Sequence, residues 1–90
     1  MPADQLNVII HGAGGATGGA VAEEFARRRA RLYLAGHGAA SVNATAEKAR
    51  ALGGEAHTSR VDAYSRAEVD AHTNAVADLA GRIDVMFNAV

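Results

Sequence analysis

Five glycines fall within nine residues, His11-Gly12-Ala13-Gly14-Gly15-Ala16-Thr17-Gly18-Gly19, between an apolar run and a stretch of helical periodicity. Such a cluster forces a turn where it stands, because glycine enters positive φ without a Cβ clash. The segment before it, Leu6 to His11 (LNVIIH), is a short apolar run of the kind a parallel strand covered on both faces requires. The segment after it, Thr17 to Arg29, repeats Val21, Ala22, Phe25 and Ala26 at helical spacing. It closes on Arg27, Arg28 and Arg29, whose charge suits a helix C-terminus and which read as a solvated helix end. The glycines therefore join a buried strand to a helix. A junction of that kind presents backbone N–H groups and the positive end of the helix dipole to a pyrophosphate.

The rest of the chain repeats the alternation. Ala30 to Ala35 (ARLYLA) reads as a second strand closed by Gly36-His37-Gly38. Ser41 is placed to cap a second helix running to about Leu52, with Gly53-Gly54 as its left-handed end. Ala56 to Val61 makes a third strand, weaker in pattern. Ser65 with Glu68 resembles a capping box opening a third helix to about Ala80, which Gly81 stops. Ile83 to Phe87 (IDVMF) is a fourth strand, with Asp84 as a turn or capping group at its entry. The fold class that follows is α/β, a Rossmann-type half with order βαβαβαβ. Right-handed crossovers give a parallel sheet of order 3-2-1-4.

Composition excludes several functions. The net charge of −1 offers no basic surplus for nucleic acid. There is no cysteine, which removes disulfides and thiolate metal sites. His57 and His72 lack a metal-ligand partner at useful spacing and read as surface histidines, so no metal site is expected. The start, Met1 to Gln5, has no basic and apolar leader, and no apolar run approaches the roughly 18 residues of a membrane span. A cytoplasmic protein without a membrane partner is the expectation.

Spacing within the loop narrows its kind. The tight G-x-G-x-x-G pattern fails, since counting from Gly12 puts Thr17 where the third glycine belongs. A P-loop fails for want of a lysine. The wider Gly12-x-x-Gly15-x-x-Gly18 fits.

With these elements in place, the chain resembles the short-chain dehydrogenase/reductase family along essentially its whole length. The loop is similar to the family's T-G-x-x-x-G-x-G, with Gly12 and Gly18 matching, His11 replacing the threonine and Ala16 the middle glycine. Val61-Asp62-Ala63 resembles the end of the family's third strand, where the resemblance implies that the aspartate contacts adenine. Ala51-Leu52-Gly53-Gly54-Glu55-Ala56 is a typical family stretch, and Ile83 to Ala89 resembles D-x-L-V-N-N-A-G, with Asn88 on the first asparagine and Ala89 replacing the second. The cofactor-binding candidates are therefore Gly12, Gly14, Gly15, Thr17, Gly18, His37, Asp62, Ala63 and Asn88.

Which dinucleotide binds turns on charge. A carboxylate about 20 residues past the loop would bond both ribose hydroxyls and repel a 2′-phosphate. No Asp or Glu occurs between Glu24 and Glu47, and the second strand ends Gly36-His37. Family members preferring NADP often carry glycine then a basic residue there, so the expectation is NADP(H) ahead of NAD(H), with His37 stacking on adenine or meeting the phosphate.

Catalysis in the family moves a hydride with a tyrosine whose pKa is lowered by a lysine four residues later. The one lysine is Lys48, preceded four residues earlier by Ala44, while Tyr33 and Tyr64 are followed by His37 and Glu68. No catalytic residue is therefore assigned. The expectation is that residues 1–90 form a partial NAD(P)-binding domain, ending after the fourth strand and inactive alone. A stand-alone nucleotide-binding or interaction module is the second reading, with a partner chain docked on the exposed edge of the fourth strand.

Overall fold

In the computed structural model, which describes residues 5–89, the first apolar run becomes strand β1 (Asn7–His11), all of whose residues are buried. Helix α1 (Ala16–Arg27) follows, then β2 (Arg31–Gly36), α2 (Ala39–Ala51), β3 (Glu55–Arg60), α3 (Arg66–Ala80) and β4 (Val85–Asn88). The start at Met1 to Asp4 and the terminal Val90 lie outside the described residues. All pairings are parallel, and the strand order is β3-β2-β1-β4, as the alternation of elements requires.

Period-two alternation in β1 and β2 divides the core between two faces. Val8, Ile10, Leu32 and Leu34 point toward α1 and α2, meeting Ala22, Ala26, Val42, Ala46 and Ala49. Ile9 and Tyr33 point the other way, toward Val76 of α3 with Ala80 and Ile83 beside it. The small alanines let α1 and α2 lie close to the sheet and to each other. A Cβ at Gly54 would sit 2.9 Å from that of Ala26, so glycine is what admits this approach.

The outer strands are held mainly by backbone pairing. In β3 only Ala56 is buried. Its full register with β2, from Arg31↔Glu55 to Gly36↔Arg60, supplies the order that its polar side chains do not. An ion pair between Arg31 Nε and Glu55 Oε2 at 3.0 Å crosses this pair of strands. At the entry to β4, the Asn7 N–H donates to Asp84 Oδ2 at 2.8 Å, and the Asp84 N–H donates to the Asn7 carbonyl at 2.9 Å.

Several boundaries differ from the sequence expectation. Helix α2 is capped by Gly38, without a side-chain cap, and starts at Ala39. Ser41 lies inside the helix and donates to the Gly38 carbonyl at 3.1 Å, so its hydroxyl serves an acceptor rather than the helix N–H groups. At α3 the Ser65 hydroxyl does accept the Glu68 N–H at 3.3 Å. The Glu68 carboxylate, however, takes the Asp62 N–H at 3.0 Å instead of closing the box on Ser65, whose own N–H already donates to the Asp62 carbonyl.

The three arginines do not all end α1. The helix stops at Arg27, Arg28 caps it, and Arg29 stands beyond with φ 60°. The Arg29 N–H bonds the Ala26 carbonyl and the Ala30 N–H bonds that of Phe25, the paired bonds of a Schellman motif, whose turning position favours glycine. A left-handed non-glycine residue costs about 1 kcal/mol. Arg29→Gly is therefore expected to stabilise the chain by up to about 1 kcal/mol, read as a higher urea midpoint at unchanged m-value.

Candidate functional site

The glycine loop is built from the end of β1. The N–H groups of Gly12 and Ala13 both donate to the Ala35 carbonyl, at 2.9 and 3.0 Å, and Gly12 takes φ 79°. The Gly15 N–H then returns to the Gly12 carbonyl at 3.2 Å. Gly18 packs beneath this turn: a Cβ there would overlap the Gly12 carbonyl oxygen and lie 3.0 Å from the Ala13 Cα. From α2, buried Thr45 donates its hydroxyl to the Ala13 carbonyl at 2.9 Å. Gly14 lies against Ser41, whose Oγ a Cβ at that position would meet.

Helix α1 opens without a side-chain cap and without an acid in its first turn. Its first N–H groups have no intrahelical acceptor, and Ala16 and Thr17 are exposed there. This is a helix end suited to an anion.

The predicted residues gather at the carboxyl ends of the strands, where open α/β sheets place their ligands. Gly12 follows β1, His37 follows β2, Asp62 and Ala63 follow β3, and Asn88 ends β4 opposite His11. A cleft of about 410 Å³ brings together Gly12, Gly36, His37, Asp62, Ala63 and Tyr64. Gly14 and Gly15 face a second, larger groove between α1 and α2, lined also by Glu23, Arg27 and Lys48. Gly18 is buried and shapes the loop rather than lining either space. Asp62 organises its own turn by accepting the Tyr64 N–H at Oδ1, 3.0 Å away. His37 is exposed, and its carbonyl accepts from Arg60 Nε at 3.3 Å, which places a guanidinium beside the end of β2.

Three residues at this end were not singled out from sequence. Tyr64, 86% exposed, stands on the cleft wall two residues after Asp62. Arg60 carried no signal beyond its place at the end of a strand. His72, read as a surface histidine, is half-buried against His11: the His11 Nε2 and His72 Nδ1 are 3.1 Å apart, with the rings edge to face. Helical phase explains the difference, since His72 stands one turn before the buried Val76. Burial lowers the pKa of both imidazoles below 6.5, and His72 lowers that of His11 further. His57 is exposed as expected, stacked on Tyr33 at 5.1 Å and bonded to Glu55 at 2.8 Å. No group of three or more His, Asp or Glu residues suited to a metal occurs among the described residues.

A parallel sheet in this order, with a glycine loop after its first strand and a cleft outside its carboxyl ends, defines a doubly wound nucleotide-binding half. The family model for short chain dehydrogenase matches residues 6–90, and the chain belongs to that family. It is 36% identical over 81 residues to 17-beta-hydroxysteroid dehydrogenase 13 of Mus musculus, covering 90% of this chain and 27% of that protein. Among solved structures, a metagenomic short-chain oxidoreductase in complex with NADP superposes with TM-score 0.83 at 26% identity, over 90% of this chain and 37% of the other. NAD+-bound xylitol dehydrogenase gives 0.82 at 25% identity, over 90% and 31%. The chain thus spans about a quarter to a third of the length of the proteins it matches.

Two outcomes are expected from this geometry. Gly18→Ala forces the loop off the Gly12 carbonyl and is expected to cost about 1–3 kcal/mol, measured by chemical denaturation. The imidazole pair gives stability a pH dependence. The unfolded chain takes up these protons near pH 6.5 and the folded chain only at lower pH. Stability contributed by the neutral pair is therefore complete above that value and falls as pH drops below it, which denaturation midpoints across the range will show.

Proposed function

We propose that the chain is the cofactor-binding part of an NAD(P)-dependent short-chain oxidoreductase, holding the adenosine and pyrophosphate of NADP(H) in preference to NAD(H). The observation that carries this reading is the cleft uniting Gly12, His37, Asp62 and Ala63 beside the uncapped start of α1. The glycine turn and the open helix end fit a pyrophosphate, and the slot between the ends of β2 and β3 fits an adenosine. The cofactor supplies the hydride. This chain's own residues bind and orient: the N–H groups of the loop and first helical turn take the phosphates, and Asp62 and His37 flank the base and ribose. Gly14, Gly15 and Thr17 border the phosphate path, Gly18 supports it, and Asn88 stands at the end of β4 toward the nicotinamide side.

The preference for NADP(H) rests on charge. No carboxylate occupies the end of β2, and the His37 backbone is bonded to Arg60, so a 2′-phosphate meets a guanidinium there. On this reading residues 1–90 are one partial domain, cytoplasmic, and inactive by themselves for want of a Tyr-x-x-x-Lys pair. A second reading, an interaction module, has its own support in β4. That strand closes one side of the described sheet, and its Met86 is 57% exposed.

Calorimetric titration separates these readings. NADP(H) is expected to bind, and more tightly than NAD(H). His37→Asp is expected to weaken NADP(H) by about tenfold or more while sparing NAD(H), because a carboxylate there repels the 2′-phosphate. Absence of binding by either nucleotide, with self-association or partner capture through β4 in sedimentation, favours the module.

A further inference from the structure

The imidazole pair, with His11 buried and His72 half-buried, lies directly behind the glycine loop. His11 is the last residue of β1, 1% exposed, and the next residue is Gly12, whose left-handed turn begins the loop. The His11 carbonyl also accepts the Ala89 N–H at 2.9 Å, so this one residue fixes both the loop and the end of β4. Across from it, Val76 is the one buried residue of α3 among the described residues, packed with Ile9 and Tyr33 and with partly buried Ala80 and Ile83.

We propose that His72 is a positioning residue for dinucleotide binding, holding His11 and hence the Gly12 turn in place while the pair is neutral, and releasing the loop when the pair is doubly protonated. This rests on the cofactor reading above. Neutral imidazoles share one N–H between the two facing nitrogens. A first added proton occupies an outer nitrogen and must enter a buried site. A second makes both facing nitrogens donors, which ends the hydrogen bond and sets two cations side by side.

The surroundings do not offset that charge. Among the described residues neither imidazole bonds a carboxylate. From β2 the neighbouring group is Tyr33, and from β3 it is His57, whose bond is to Glu55, itself paired with Arg31. On α3, Glu68 one turn earlier is engaged by the Asp62 N–H. On β4, Asn88 pairs in register with His11 and does not titrate. Helices α1 and α2 lie on the opposite face of the sheet.

The test uses NAD+, which has no 2′-phosphate to titrate, measured by calorimetry from about pH 7.5 down to the lowest pH at which the chain stays folded, so that the second proton is reached. Far-UV circular dichroism at each pH confirms that the chain is folded. The expected result is that affinity falls by at least about fivefold toward acid in the parent chain. In His72→Gln, which keeps a neutral hydrogen-bonding partner that takes up no proton, the profile flattens. His11→Thr, which removes the pair from the other side, should flatten it too and serves if His72→Gln does not fold. A flat parent profile, or variants as steep as the parent, overturns the role of His72 and leaves the cofactor reading standing. Failure of NAD+ and NADP+ to bind at any pH overturns both.

Discussion

The carbonyl oxygen of Ala35 decides where the chain leaves the sheet. By accepting from both Gly12 and Ala13 it ends the β1 ladder and turns the backbone toward α1. Everything at the functional end depends on that turn. Gly18 fits under it only because no Cβ intervenes, α1 starts from it without a cap, and Thr45 fastens it to α2 through the Ala13 carbonyl. The cleft between the ends of β1, β2 and β3 is what remains beside a loop held in this way.

The order of elements and the strand order were legible because the central residues of β1 and β2, Val8 to Ile10 and Leu32 to Ala35, are buried on both faces and read as short apolar runs. Their glycine and helix punctuation is equally strong. The boundaries were less legible. Ser41 has the chemistry of a cap, yet Gly38 takes that position because the preceding turn brings Ser41 a full helical turn too late. The β3 residues carry almost no burial signal, since backbone pairing with β2 orders them. His72 was misjudged because a single histidine on a polar helix shows its partner only when β1 and α3 are brought face to face. The contribution of Tyr64 and Arg60 to the end of β2 and β3 likewise exists only in three dimensions.

The departures from the family's patterns differ in what they ask of the structure. Ala16, standing where the loop pattern has glycine, is the first residue of α1 and exposed, so its methyl group meets solvent. Ala89, standing where the pattern has asparagine, donates its backbone N–H to His11, a bond that needs no particular side chain. His11 is different. It fills a fully buried position with a polar ring, and the hydrogen bond to His72 is what makes that burial tolerable. Two of the replacements are therefore local, while the third draws a second helix into the site.

The two faces of the sheet are unequal in how they resist opening. On one, α1 and α2 interlock with four strand side chains and with each other through Gly54; on the other, α3 buries Val76 alone, with partly buried Ala80, the His72 imidazole and a Thr73 hydroxyl bonded to Met86 beside it. Cooperative units with little buried apolar contact open first, so the backbone amides of α3 will exchange with solvent by a local route, well before the sheet does. Because Ser65, the cap of α3, stands just past Asp62 to Tyr64, each such opening also loosens one wall of the cleft. The fold thereby gives the cleft a moving part.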